Sequence, residues 1–86
     1  MVKTTLDKLN NIVNTGKIIG IDDNLPCKSR LSELGFGDGC EVKYLRKAPS
    51  GDPVAYLVKD AVVALRCADA NKIQISLNRG DINNHY

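Results

Sequence analysis

The sequence predicts a mainly β domain with short helices, folded as a small barrel or sandwich. Three observations lead to this prediction. Short strand-like runs follow one another with brief turns between them, residues 30–42 convert a helix into a strand within a few residues, and no second domain or linker interrupts the chain. A chain of 86 residues suits one small core, which buries about 60–65% of the surface that the unfolded chain exposes.

The first part of the chain predicts a helical turn followed by a strand. Residues 5–9 can form a short amphipathic turn, with Leu6 and Leu9 on one face. After a polar loop, residues 17–21 are β-branched and indicate the first strand. Gly20 lies inside this strand, and a glycine there is typical of a bulge or a sharp bend.

A helix is predicted from about Pro26 to Leu34. The acidic and amide side chains of residues 22–24 offer a helix N-cap, and proline is well suited to the first turn. Arg30 and Glu33 are spaced as an exposed pair on successive turns.

The end of this helix is encoded by five residues that we expect to be structural. Glycine after the last helical turn supplies a left-handed conformation, and the apolar residue after it folds back onto the helix, as in a Schellman cap. A further glycine turns the chain into the next strand. The five residues are Leu31, Leu34, Gly35, Phe36 and Gly39.

The second half of the chain predicts a β-meander. Residues 40–47 alternate between a face with Cys40, Val42 and Tyr44 and a face with Glu41, Lys43 and Leu45. Residues 48–53 form a turn cluster with two prolines, and predict an exposed hairpin loop. Strands at 54–58 and 61–65 follow, joined by a tight turn at Lys59 and Asp60.

The last predicted elements are a helical turn at 67–71 and a strand at 73–77, where Ile73, Ile75 and Leu77 alternate with polar residues. We therefore expect one domain over residues 1–77. Residues 78–86 are polar and are predicted to form a flexible tail.

The composition favours an ordinary globular domain without a nucleic-acid or membrane preference. Twelve basic residues stand against ten acidic ones, spread along the chain, which is too even for a nucleic-acid surface. The longest apolar runs are far shorter than the roughly 20 residues that cross a bilayer. With no secretory signal and three unpaired cysteines, the chain is predicted to be cytoplasmic and not membrane-inserted.

No catalytic or metal-ligating residue is predicted. His85 lies in the expected tail with no group to orient it. Cys27, Cys40 and Cys67 lack the paired spacing of a zinc site, so core packing is the preferred role, although a soft-metal site is left open. Asp22 and Asp23 are better explained as residues that flank the helix. A nucleic-acid platform of Tyr44 and Tyr56 beside Lys43, Arg46 and Lys47 is weighed too, but both tyrosines are expected to pack at the core edge with their hydroxyls in water.

Five motifs taken together resemble the FeoA family, the small cytosolic accessory proteins of bacterial ferrous-iron uptake. The resemblance spans about residues 4–77 and is carried by R-L-S-E-L-G-F at 30–36, G-x-x-V at 39–42, A-P-x-G-D-P at 48–53, L-R at 65–66 and A-x-x-I at 70–73. It implies an SH3-like small β-barrel of about five strands with a helix inserted after the first strand. It also implies a non-enzymatic role. No cofactor is expected, and weak binding of ferrous iron or another divalent metal is left open.

Two positions depart from the pattern of that family. Residues 10–13 read Asn-Asn-Ile-Val where a Pro-Gly pair is usual, so the loop after the first helical turn is expected to differ. Asp60 stands where a glycine commonly makes the turn before the fourth strand, and aspartate tolerates the left-handed conformation.

The partner implied by the resemblance is the cytosolic part of the membrane ferrous-iron transporter FeoB, which the chain would bind and modulate; weak self-association is left open. The alternative is a metal-sensing domain related to the C-terminal part of iron-dependent repressors. We expect the docking surface to combine the solvent side of the helix with the hairpin tip, and Leu45 and Leu57 to add apolar contact if they face outward. The predicted docking residues are Lys28, Ser29, Ser32, Glu33, Pro49, Ser50, Gly51 and Asp52.

Overall fold

The computed structural model describes residues 2–37 and 39–77 and has one antiparallel sheet with short helices. The strands are β1 (Val2–Thr5), β2 (Thr15–Ile21), β3 (Glu41–Lys47), β4 (Val54–Val58), β5 (Ala61–Leu65) and β6 (Ile73–Leu77). The helices are α1 (Lys28–Glu33) and α2 (Cys67–Ala70), with a 3₁₀ turn at Leu6–Lys8. The six strands lie in the order β1-β6-β2-β3-β4-β5. The prediction of a mainly β fold with short helices is confirmed.

The sheet contains a strand that the sequence did not predict. β1 pairs antiparallel with β6, with Thr4 opposite Ile75. Its sequence, Val-Lys-Thr-Thr, has no apolar alternation, so only its neighbour in the sheet makes it a strand. The described residues therefore form six strands rather than about five, and α1 follows the second strand rather than the first.

A shift in the pairing register of β2 confirms the predicted bulge. Pairing between β2 and β6 shifts between Ile18 and Gly20, so β2 bends at this point. The bend helps a single sheet to curve around its own core.

One core fills the concave side of this curved sheet. β4 contributes Val54, Tyr56 and Val58, all at most 3% exposed. The Tyr56 hydroxyl donates to the Leu6 carbonyl at 3.4 Å. β4 is next to one edge of the sheet, and Leu6 follows the strand at the other edge, so the two ends of the strand order approach each other. This closure is what makes the sheet a small barrel.

The predicted end of the helix is confirmed in detail. The Phe36 N–H donates to the Leu31 carbonyl at 2.9 Å, and the Gly35 N–H donates to the Ser32 carbonyl at 3.1 Å. Gly35 has a φ of +102°. Leu31 and Phe36 are both buried, which completes the apolar contact of a Schellman motif.

The start of the helix differs from the prediction. α1 begins at Lys28, and Pro26 lies in the turn before it. The Asp22 carboxylate accepts a hydrogen bond from the Asn24 N–H at 2.9 Å, so it stabilises a local turn instead of capping the helix. Cys27 occupies the N-cap position without a side-chain hydrogen bond.

The ion pair of α1 also differs from the one expected on the helix surface. Lys28 contacts Asp23, while Arg30 and Glu33 form no ion pair within the described residues. The Lys28 ammonium lowers the pKa of the Asp23 carboxyl, first by hydrogen bonding and then by charge. Both partners reach solvent, so the pair adds little to stability.

The turn between β4 and β5 uses Lys59, not Asp60, in the left-handed region. Lys59 has a φ of 48°, whereas aspartate had been expected to take this conformation. The other connections follow the prediction: α2 and β6 lie where a helical turn and the last strand were expected. Residues 78–86, predicted as a tail, and His85 within them, are outside the described residues.

Gly35→Ala should destabilise the domain, because a Cβ at φ +102° is strained and would lie 3.1 Å from Lys59 Cδ. We expect a loss of about 1–2 kcal/mol in the free energy of unfolding, measured by urea denaturation. Gly37→Ala is the matched control, because its Cβ would meet nothing within 4 Å, and it should change stability by less than about 1 kcal/mol. Equal effects of the two substitutions would contradict the left-handed cap.

Candidate functional site

A cleft of about 270 Å³ lies between α1 and the end of β5. Its helix side is formed by Cys27, Arg30 and Leu31. Its strand side is formed by Pro53, Ala64, Leu65, Arg66 and Asp69. The cleft is where the helix, the hairpin loop and the outer strand of the sheet meet.

The helix side of the cleft follows from helical spacing. Cys27, Arg30 and Leu31 stand at positions i, i+3 and i+4, which share one face of a helix. Leu31 is 1% exposed and fixes this face against the core. Because Arg30 is exposed, its guanidinium group borders the cleft from the solvent side.

The predicted docking elements converge at this cleft, but the predicted docking residues do not line it. Lys28, Ser29, Ser32 and Glu33 lie on the other faces of α1. From the hairpin loop, Pro53 reaches the cleft. The sequence had placed helix and loop in one surface, but the predicted residues were polar residues of α1 other than Arg30, whereas the cleft is lined by Cys27, Arg30 and Leu31. The docking role of the predicted residues stays a prediction.

Asp52 has a structural role that the sequence did not reveal. Its Oδ1 accepts a hydrogen bond from the Cys67 N–H at 2.8 Å, and its Oδ2 lies 3.8 Å from Arg66 Nη1. Asp52 therefore holds the start of α2 against the hairpin loop. Pro49 and Ser50 are exposed as predicted, while Gly51 and Asp52 are only partly exposed.

The charges beside the cleft are mainly positive. Arg30 and Arg66 are exposed and Asp69 is partly buried. The Arg66 side chain is 76% exposed and makes only the loose contact with Asp52. An acidic group entering from outside would therefore meet two cations with little competition.

The outer face of β4 and β5 is apolar. Leu57 pairs with Val62, and Ala55 pairs with Ala64. Val62 is 61% exposed. The neighbours of Leu57 in β4, Tyr56 and Val58, point into the core, so Leu57 lies on the outer face. The predicted apolar contact by Leu57 depends on this orientation. Leu45 is partly buried at the register shift of β3.

This apolar face has a cationic border on its β3 side. Lys43 is opposite Leu57, and Arg46 is opposite Ala55. Both cations are exposed. An apolar patch with a charged rim is typical of protein-binding surfaces.

The two tyrosines do not form an exposed platform. Tyr44 is 8% and Tyr56 0% exposed, and their rings pack edge to face at 6.5 Å. The expectation that both hydroxyls reach water is wrong for Tyr56, whose hydroxyl is bonded to Leu6. Burial is the main cause that raises the pKa of Tyr56. Bases could not stack on these rings without opening the core.

The cysteines lie at the margin of the core. Cys27, Cys40 and Cys67 are free and partly buried, and they pack against the core cluster, in agreement with the packing role predicted for them. Among residues 2–37 and 39–77, no three His, Cys, Asp or Glu side chains group together as metal ligands. Weak binding of ferrous iron or another divalent metal stays a prediction. Within the same residues, no helix is long and apolar enough to span a membrane.

Comparisons with known proteins identify the family. A family model described as the FeoA domain matches residues 7–77. A fusion of Fe(2+) transport protein A with the Fe(2+) transporter FeoB, from Porphyromonas gingivalis, is 35% identical over 60 residues. The match covers 70% of this chain and 7% of that relative, so the chain spans only a small part of the relative's length.

Solved structures share the fold. The solution structure of the FeoA protein from Chlorobium tepidum aligns with a TM-score of 0.80 and 25% identity, over 90% of this chain and 72% of that one. Stenotrophomonas maltophilia FeoA, complexed with zinc and described as a prokaryotic SH3 domain protein, aligns with a TM-score of 0.72 and 28% identity, over 85% of this chain and 89% of that one. The predicted SH3-like fold is confirmed.

The repressor alternative finds support in the fold alone. A manganese-dependent transcriptional repressor aligns with a TM-score of 0.73 but only 18% identity, and the alignment covers 42% of that chain. The same architecture therefore occurs as part of a longer regulator. The family match and the higher identity to FeoA proteins favour the FeoA assignment.

Asp52→Asn should increase the reactivity of Cys67 towards iodoacetamide. Desolvation raises the pKa of the Cys67 thiol, and the nearby Asp52 carboxylate raises it further. Asparagine keeps an oxygen acceptor for the Cys67 N–H but removes the charge, so the thiolate should form at lower pH. Alkylation followed by mass spectrometry across a pH series should show the midpoint for Cys67 moving down, with Cys27 as the internal control. A faster rate at high pH with an unchanged midpoint would instead mean local opening, and would contradict the charge effect.

Proposed function

This chain belongs to the FeoA family, and from that premise we propose that it is a non-enzymatic accessory protein of ferrous-iron uptake. It docks on the cytosolic part of the FeoB transporter and modulates the transporter's activity. The proposal places the protein in the cytoplasm, because that is where its docking site would be.

The observation that carries this proposal is the fused relative. In Porphyromonas gingivalis, one polypeptide joins a FeoA segment to the FeoB transporter. A covalent link holds two domains at high effective concentration, and such a link is useful when the domains work in contact. We infer that the separate chain makes the same contact without the link.

The surface of the domain supports a binding role. The cleft beside α1 and the apolar outer face of β4 and β5 lie close together, and both are bordered by cations. Apolar centres with polar rims suit a protein partner. The proposed docking surface combines the cleft and this apolar face with the adjoining solvent side of α1 and the tip of the loop at residues 49–52.

Lys28→Glu should weaken binding to the purified cytosolic part of FeoB. We expect a loss of roughly 1 kcal/mol, close to fivefold in the dissociation constant, because a rim charge is reversed. Calorimetric titration measures it, and circular dichroism checks that the fold is intact. Lys3→Glu is the matched control: Lys3 is exposed and lies on β1 opposite Ser76, outside α1, the cleft and the hairpin loop.

Two results of this titration would count against the proposal. Equal weakening by both substitutions would mean that only overall charge matters, so α1 would not be the docking surface. No binding by the unmodified chain, at concentrations where the fused domains would meet, would contradict docking on the transporter altogether.

A further inference from the structure

The edge of β5 is open. β5 is the last strand in the sheet order, and no other backbone segment among residues 2–37 and 39–77 bonds to its outer side. The β4–β5 hairpin has a two-residue loop, so Val58 and Ala61 form the closing hydrogen-bonded pair. Because such pairs alternate along an antiparallel ladder, the N–H and C=O groups of Val62 and Ala64 point away from β4.

This edge lacks the features that usually protect an exposed strand. β5 reads Ala-Val-Val-Ala-Leu and keeps an unbroken register with β4. It has no charge, no proline and no bulge. The opposite edge, β1, carries Lys3 and two threonines. Edges without such features readily accept another strand.

Helix α1 lies across the cleft from this edge. α1 faces the end of β5 across the cleft, with Leu31 and Leu65 as its buried apolar floor. A strand added to β5 would lie about 4.8 Å from it, on the side that α1 borders. An extended peptide between a strand edge and a helix is a recurrent mode of recognition, in which backbone bonds supply affinity and side-chain pockets supply specificity.

The charges at the cleft favour acidic side chains on the added strand. The ionisable groups that line it, apart from Cys27, are Arg30, Arg66 and Asp69. The guanidinium groups outnumber the carboxylate, and Arg30 makes no ion pair within the described residues. A peptide that carries Asp or Glu near its middle would pair with these arginines.

We propose that β5 binds an extended, acidic segment of the transporter's cytosolic part as an additional antiparallel or parallel strand, with its acidic side chains on Arg30 and Arg66. This inference rests on the proposed function and names the surface that performs it. A second copy of this chain fits less well, because its β5 would arrive with β4 and α1 attached, on the side of β5 that α1 already borders.

Val62→Pro is the direct test of strand addition. Proline removes the N–H that points away from β4, and it is tolerated on edge strands at such positions. We expect binding to the purified cytosolic part of FeoB to weaken by about tenfold or more. Val62→Ile is the matched control, because isoleucine keeps the N–H, the β-branched shape and the apolar surface, and it should bind like the unmodified chain.

Arg30→Glu tests, without altering β5, whether acidic side chains of the bound segment pair with Arg30. It should also weaken binding, by about tenfold for a paired charge, while Lys3→Glu should have little effect. Lys3 is also an exposed cation, and it lies on β1, at the other end of the strand order from β5. If Val62→Pro does not fold, this pair of variants still decides the proposal.

Hydrogen exchange measured by NMR provides the structural signature. In the free chain the amides of Val62 and Ala64 should exchange rapidly, and in the complex they should become protected. Overlapping peptides of about ten residues from the cytosolic segments of FeoB, long enough to span a five-residue strand, should identify an acidic segment that gives the same protection.

The outcomes separate this inference from the proposed function. If the unmodified chain binds and both Val62→Pro and Arg30→Glu bind equally well, strand addition is wrong and the proposed function stands. If the unmodified chain does not bind, both are wrong. If the free chain is a dimer that Val62→Pro dissociates while binding to FeoB is unchanged, a second copy occupies the edge and the inference is overturned.

Discussion

Tyr56 joins the two ends of the sheet, and the rest of the fold depends on that junction. Its ring is fully buried on β4, and its hydroxyl donates to the Leu6 carbonyl beyond the opposite edge strand. An open sheet of six strands would bury its apolar face only against something else. Curled around Tyr56, the same sheet covers its own core, and a buried hydroxyl that would otherwise cost about 1–3 kcal/mol is paired.

Closure of the sheet around Tyr56 also determines which strand edge is left without a partner strand. Tyr56 ties β4 to the far end of the sheet, but β5, the strand beyond it, pairs on one side only within the described part of the chain. α1 is fixed over the core by Leu31 and Phe36 and stands across from the free side of β5. The cleft is thus a consequence of a barrel that closes through a side chain rather than through a continuous ring of strands.

Features encoded by neighbouring residues could be predicted, and features made by distant residues could not. Gly35 and Phe36 specify the helix end within six residues, and Gly20 marks its own bulge. By contrast, β1 has no apolar pattern and becomes a strand only beside β6. Asp52 caps a helix that begins 15 residues later. The cleft combines positions from 27 to 69, so no local motif could have indicated that Arg30 and Arg66 border one site.

The open edge of β5 exposes the protein to self-association, and this disadvantage suggests that the edge has a binding role. Unprotected strand edges promote association between copies of a protein. A lysine in place of Val62 or Ala64 would suppress this association. It would have little effect on the core, because both side chains are exposed. Those positions hold apolar residues instead, directly beside a cleft bordered by two arginines. An edge that could be protected so easily and is left apolar is better explained by a strand that it binds than by packing, since packing does not require it.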